Sequence, residues 1–326
     1  MPAKPRIALT FGDPSGVGPE LAAKLLADPG ARDEADILVV AGPDEILRAA
    51  EQAGVELTVT EDPQDGHPTL ADPHRSQPLP GAIGVAGREA GEWALAGLRH
   101  ALSLASDGRA DAICFTPLNK TSLHLAGMTE EDELRWFAKT LGYTGRTSEF
   151  NVLDGLWTGR VTSHIALAEV PARITADAVA ETIALLDRAL RGSGVTAPRI
   201  AVAALNPHAG ENGNFGRQEI EEIAPGVELA RGNGLTADGP FPSDTVFLKA
   251  RAGLYDGVVT MYHDQGQIAM KMMGFDRGVT VQGGLPIPIT TPAHGTAFDI
   301  VGQQKADLGA TRNAFGLAVR LAQQNH

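Results

Sequence analysis

Residues 6–26 read Arg6-Ile-Ala-Leu-Thr-Phe-Gly-Asp-Pro-Ser-Gly-Val-Gly-Pro-Glu-Leu-Ala-Ala-Lys-Leu-Leu26: an apolar strand through Phe11, a glycine-rich turn, then a helix that opens on Pro19. The same unit recurs outward along the chain. Ile37-Leu-Val-Val-Ala41 predicts a second strand, and residues 43–53 a helix. An amphipathic helix over 89–106 leads into a strand over 111–116. Further strands are expected at Gly159-Arg-Val-Thr-Ser163, Arg199-Ile-Ala-Val-Ala-Ala-Leu205 and Asp256-Gly-Val-Val-Thr-Met-Tyr262, with a long helix over 176–191. Residues 61–80, rich in Pro, Asp and His, are expected as loop. Strands alternating with helices predict α/β layers around a mostly parallel sheet. No repeat or clear linker divides the chain, so its domains are expected to be discontinuous.

Composition agrees with that class. With 326 residues, 43% of them hydrophobic, the chain can bury a large core without staples. The 38 glycines suit many tight turns. The formal charge is 27 minus 40, or −13, with no basic run, which argues against nucleic acid as a partner. No apolar segment spans a bilayer and none reads as a signal at the N-terminus, so the expectation is a cytoplasmic protein. Cys114 is the only cysteine. It lies in the apolar run Asp111-Ala-Ile-Cys-Phe115 and is expected to be an inert core thiol.

Three histidines stand just past three predicted strands: His164 after Val161-Thr-Ser, His208 within Asn206-Pro-His-Ala-Gly-Glu211, and His263 within Tyr262-His-Asp-Gln-Gly266. Functional groups gather at the carboxyl ends of strands in parallel α/β sheets. Three imidazoles delivered there can hold one divalent ion and leave a position open for substrate. The plainer alternative is that each satisfies its own loop. His67, His74 and His326 fall in expected loops or the terminus, and His100 on a surface helix. Asp264 can orient an imidazole. Lys271, eight residues past His263, is either a buried ammonium facing a substrate carboxylate or a solvated surface lysine.

Together these segments resemble the PdxA family. The resemblance covers nearly the whole chain, through Gly12-Asp-Pro-Ser-Gly-Val-Gly-Pro-Glu20, Thr116-Pro-Leu-Asn-Lys-Thr-Ser-Leu-His-Leu-Ala-Gly127, Thr162-Ser-His-Ile-Ala-Leu167, Asn206-Pro-His-Ala-Gly-Glu-Asn-Gly213, Pro242-Ser-Asp-Thr-Val-Phe247, Tyr262-His-Asp-Gln-Gly266 and His294-Gly-Thr-Ala-Phe-Asp-Ile300. It implies a homodimeric, two-domain α/β/α fold like that of isocitrate and isopropylmalate dehydrogenases. On this reading one lobe comprises residues 1–125 and 295–326 and the other 126–294, with the active site in the cleft between them and near the dimer interface. It implies NAD, with NADP as the alternative, on a loop containing His294, Gly295, Thr296, Ala297 and Asp299. No GxGxxG follows the first strand, and Gly12 to Glu20 lacks the Lys-Ser/Thr ending of a P-loop. It implies a metal triad of His164, His208 and His263 holding Zn, Mg, Mn, Co or Ni. The activity implied is oxidation of a small hydroxy acid with decarboxylation of the β-keto product. Lys271 is then electrostatic, with Asp244 and Asp264 supporting metal, base or cofactor.

The sequence departs from the family at the substrate end. Aligned on Ala126-Gly127 and Ala138, the family's Gly-His-Thr-Glu becomes Asp132-Glu-Leu-Arg135, so Glu133 and Leu134 stand where His and Thr hold phosphate. The family's Asn and Arg substrate contacts fall on Thr280 and Ile289, and replacing arginine by isoleucine removes a bidentate anion clamp. These changes favour an unphosphorylated acid such as a cis-dihydrodiol carboxylate, unless Arg135 or Arg146 restores the charge. Phosphorylated threonate or erythronate is the alternative substrate. A non-redox acyl- or phosphotransferase-like enzyme, or a binding protein, is the alternative class.

Overall fold

The structure, a computed structural model, describes residues 3–64, 66–74 and 77–324, so His326 lies outside the described residues. In chain order the first elements are β1 (Arg6–Thr10), α1 (Gly18–Ala27), α2 (Pro29–Glu34), β2 (Asp36–Val40), α3 (Pro43–Ala53), β3 (Thr69–Leu70), α4 (Arg88–Ser106) and β4 (Ala112–Phe115). Next come α5 (Lys120–Leu125), α6 (Glu133–Thr140), β5 (Ser148–Leu153), β6 (Leu156–Arg160), α7 (Val170–Arg173), α8 (Ala176–Gly192) and β7 (Ile200–Ala203). The last are α9 (Ala224–Gly232), β8 (Ala237–Phe241), α10 (Ser243–Arg251), β9 (Gly257–Thr260), α11 (His263–Gly274), β10 (Val279–Gly283), β11 (Ile289–Pro292) and α12 (Gly309–Gln324). The helix starts follow local chemistry. Asp28, Asn119, Asp132 and Thr175 each cap a helix by accepting a backbone N–H of its first turn. Gly54 ends α3 in the left-handed region that glycine enters without steric cost.

Two compact units result, Met1–Thr144 with Leu285–His326, and Gly145–Gly284. The strand order in the first is β3-β2-β1-β4-β11, every pair parallel. In the second it is β10-β5-β6-β9-β7-β8, with β5 antiparallel to both its neighbours and the rest parallel. The fold is thus α/β with mostly parallel strands.

The junctions fall at 144/145 and 284/285, not at the expected 125/126 and 294/295. The reason is packing. Trp136 and Phe137 of α6 join the core of the first unit with Leu95, Leu98 and Phe115, and β11 pairs with β4. Residues 61–80 also carry more than loop, since Thr69–Leu70 adds a short parallel strand beside β2.

Alternating residues send each strand's two faces to different helices. In the first unit Ile113 and Phe115 pack with Leu95 and Leu98 of α4, while Thr290 of β11 donates to the Ala314 carbonyl of α12 at 2.9 Å. In the second unit Val258 packs with Val246 and Phe247 of α10 and with Met270 of α11. The neighbouring Gly257 sits against Leu186 and Leu190 of α8. Strands covered on both faces bury continuous apolar runs. Cys114 is fully enclosed, and burial pushes its thiol up to about 12, so it stays protonated and inert. Among the described residues no helix is long and apolar enough to cross a membrane.

Candidate active site

The three strand-end histidines follow three adjacent strands of the second unit. β6, β9 and β7 lie side by side and parallel, so their carboxyl ends point the same way. His164 stands four residues past β6, His208 five past β7, and His263 opens α11 three past β9. The strand before His164 ends at Arg160, earlier than the expected Ser163. The rings of His164 and His263 lie 5.3 Å apart, centre to centre. Two imidazoles bound about 2.1 Å from one tetrahedral ion would place their ring centres about 5 Å apart, so the spacing of this pair is compatible with a shared ion. His208 is not brought to the same distance: among the described residues the three imidazoles do not place all their ligand atoms within 4.8 Å of one another.

Asp264 fixes one of those rings. Its Oδ1 lies 2.7 Å from Nδ1 of His263. An ionised carboxylate can only accept, so Nδ1 carries the proton and Nε2 is left with its lone pair for a ligand. His208 lines a pocket of about 300 Å³ with Asn206, Ser243, Asp244, Tyr262 and Gln265, and Asp244 is exposed there.

Two residues not singled out in the sequence hold these loops. Gln265 donates to the Ala204 carbonyl at 2.7 Å and to Ser243 Oγ at 2.8 Å, and accepts from the Met261 amide at 2.7 Å. It therefore ties the ends of β7 and β9 to the start of α10. Glu219 is buried and accepts from the amides of Leu205 at 2.8 Å and Asn206 at 2.7 Å, and from Asn206 Nδ2 at 2.9 Å.

Between them runs an unusual turn: His208, Ala209, Gly210, Glu211 and Asn212 all have positive φ, from 42° to 78°. Left-handed backbone costs about 1–2 kcal/mol for each residue bearing a Cβ. Three hydrogen bonds to a carboxylate at about 1.5–3 kcal/mol each offset a cost of that size. The segment that follows opens as a π-helix over Glu219–Ile223. Helical turns of that kind recur at functional sites.

The other expected site residues are dispersed. Lys271 is exposed on α11, not buried, because the helix turns Gly266 and Met270 inward. Eight residues from His263 is about 12 Å of helical rise. Thr280 of β10 accepts from Asn151 at 3.3 Å. Asn151 in turn accepts from Gln267 of α11 at 2.8 Å and from the buried Arg160, which is paired with the half-buried Glu149. Arg146 is engaged by Glu181 and Thr182 within the same unit.

In the first unit Leu134 (3% exposed) and Ile289 (0%) are core residues, which corrects the expectation of substrate contacts there. Ile289 packs among Leu98, Ile113 and Phe115, and a side chain so enclosed offers a substrate no surface. Glu133 is half-buried in the first turn of α6. Arg135 is tied to Asp132 and Glu131.

The 294–299 loop is pinned from within the first unit. The Val17 amide donates to the Thr296 carbonyl at 3.0 Å, and Asn119 approaches Thr296 Oγ1 at 3.5 Å. Ala297 is left-handed and packs on Val17 and Leu21. Gly295 and Asp299 remain exposed and His294 half-buried, so part of the loop faces outward on a fixed base.

Residues 33–318 match the family described as "Pyridoxal phosphate biosynthetic protein PdxA". A Pseudomonas aeruginosa protein provisionally named 4-hydroxythreonine-4-phosphate dehydrogenase 2 is 55% identical, over 98% of both chains. A D-threonate 4-phosphate dehydrogenase of Pectobacterium atrosepticum is 39% identical, over 97% of this chain and 99% of its own. The crystal structure of a 4-hydroxythreonine-4-phosphate dehydrogenase from Klebsiella pneumoniae superposes with a TM-score of 0.85 at 36% identity, covering 99% of this chain and 100% of that one.

Proposed function

The chain belongs to the PdxA family, and we propose that it is an NAD- and divalent-metal-dependent dehydrogenase that oxidises the CH–OH group of a small phosphorylated hydroxy acid and releases carbon dioxide from the β-keto product. The observation that carries this reading is the delivery of His164, His208 and His263 by three adjacent parallel strands, with two of the rings 5.3 Å apart. The relatives named above act on phosphorylated acids, and the enclosure of Leu134 and Ile289 removes two of the substitutions that pointed to an unphosphorylated one.

Oxidation of a CH–OH group needs a proton acceptor, compensation for the alkoxide charge and a hydride acceptor. NAD, when bound, accepts the hydride, and a divalent ion held by His164, His208 and His263 supplies the positive charge. Asp264, bonded to Nδ1 of His263, would leave Nε2 of that ring for such an ion. Asp244, exposed beside His208 and Tyr262, is the carboxylate placed to accept the hydroxyl proton. Lys271, two turns along α11 from His263, meets the far anionic end of the substrate and balances its charge. Asp299 and His294, outward on the pinned loop, suit the ribose hydroxyls and base of a dinucleotide. In the following step the C–C bond to the carboxylate breaks, its electron pair passes into the enolate, and a proton completes the ketone.

The test is NADH formation by the metal-loaded chain with 4-hydroxythreonine 4-phosphate, D-threonate 4-phosphate, erythronate 4-phosphate and their unphosphorylated counterparts. Turnover of a phosphorylated acid, abolished by chelation, is expected. Turnover of unphosphorylated acids alone would overturn the substrate class. No turnover with any of them would overturn the dehydrogenase reading.

A further inference from the structure

The left-handed turn that carries His208 has no counterpart at the other two strand ends. His164 sits in a loop of ordinary backbone and His263 in the first turn of α11, whereas five consecutive residues from His208 to Asn212 have positive φ and four of them bear a Cβ. A peptide left to itself abandons such a conformation. Something outside the turn must hold it, and Glu219 is in place to do so. Its Oε1 takes the amides of Leu205 and Asn206, the two residues that lead into the turn, and its Oε2 takes the side-chain amide of Asn206. Gln218 Oε1 accepts from the same amide at 2.7 Å. The turn is shaped around this carboxylate. A Cβ on Gly210 would run into Glu219 Oε2 and the Gly216 carbonyl, and a Cβ on Gly216 into the Asn206 side chain.

We propose that Glu219 is the positioning residue for His208, holding in place the Pro207–Gly213 turn that carries the imidazole. This rests on the metal-centre reading above. Glu219 does not touch the ion or the substrate. Its contribution is to spare the metal the work of ordering the turn, so its loss appears as weaker metal binding.

The test is calorimetric titration of the metal-free full chain with Mn²⁺ and Zn²⁺. It compares the native chain with Glu219→Ala, Glu219→Gln, His208→Ala and the Glu219→Ala/His208→Ala double variant. Hydrogen exchange at 205–213 is followed in the metal-free state.

Loss of a hydrogen-bond partner that orients a ligand typically weakens metal binding about 10–100-fold, and Glu219→Ala is expected in that range. Glu219→Gln keeps an acceptor for the two backbone amides but sets a donor against Asn206 Nδ2, so a smaller loss is expected. It also serves if the alanine variant does not fold. Exchange at the Leu205 and Asn206 amides should rise in Glu219→Ala and rise less in Glu219→Gln. In the double variant the two losses should not add, because each removes the same ligand.

Native affinity in both Glu219 variants, with His208→Ala weakened, would overturn the latch and leave the metal centre standing. Fully additive losses would also overturn it, since Glu219 would then act elsewhere. Native affinity in His208→Ala would overturn the metal reading, and this proposal with it.

Discussion

In the first unit the loops past β1 and β4 are closed by backbone. Asp13 donates its amide to the Pro117 carbonyl, Val17 to that of Thr296, and Asp13 and Ser15 have no exposed surface. In the second unit the loops past β7 and β9 are held by side chains, Gln265 and Glu219 above all, and the three strand ends leave His164 and His208 exposed and His263 half-buried. The two units share a parallel-strand frame and differ in what fixes their strand ends. Glycine lets backbone approach backbone and gives a rigid loop. Side-chain latches leave imidazoles free to coordinate. A loop can be made rigid either by omitting side chains or by bonding to them, and only the second keeps donors at the surface.

That contrast can be broken from either side. Gly18→Ala should have the largest effect on stability, because its Cβ would be driven into the Phe11 carbonyl and Thr116 Oγ1. A loss of about 2–4 kcal/mol is expected in denaturant unfolding, with the metal affinity of the second unit unchanged. Asp264→Asn should do the reverse. It should weaken metal binding about 10–100-fold and move stability by less than about 1 kcal/mol, since that hydrogen-bonded pair is exposed. If Gly18→Ala weakened metal binding as much as Asp264→Asn, the division of labour would be wrong.

A smaller effect distinguishes the units by pH. Glu45, buried in the first unit against Trp93 Nε1 at 2.9 Å, is pushed up to about 7 by desolvation. An acid raised in the folded state contributes its stability below its unfolded value, 4.5, and loses it as pH rises through about 7. Glu45→Gln should therefore gain on the native protein as pH goes from about 5 to about 8, by at most about 3 kcal/mol in thermal or denaturant unfolding. His74, stacked on Trp93 at 3.4 Å and held down to about 4, has the opposite sign: its contribution is lost as pH falls below 6.5. A flat difference between Glu45→Gln and the native protein across that range would show that Glu45 is not neutral in the fold.

Much of this was legible in the sequence. The strand–glycine turn–helix units read directly, because each strand and helix carries its own period. The three histidines were visible because position after a strand is a local property. Residues joined by tertiary packing were not. β5, β10 and β11 take their place from pairing across the sheet, and the unit boundary follows α6 because Trp136 and Phe137 found a core. Alignment placed Leu134 and Ile289 at substrate positions, but burial is set by neighbours that alignment does not name. Glu219 is one acid among Glu219, Glu221 and Glu222, and nothing local separates the buried one. A signal did exist for the turn it holds: Asn206-Pro-His-Ala-Gly-Glu-Asn-Gly213 carries two asparagines and two glycines, the residues that tolerate positive φ best.

Everything proposed for the second unit depends on its strand-end histidines forming one metal centre. Its most direct test is Co²⁺ titration of the metal-free chain, read by the visible absorption of the bound ion, with His164→Ala, His208→Ala and His263→Ala alongside. One ion per chain is expected, with a loss on the order of 100-fold or more in each variant, above what losing a hydrogen-bond partner of a ligand costs. Unchanged titration of any one variant would contradict it.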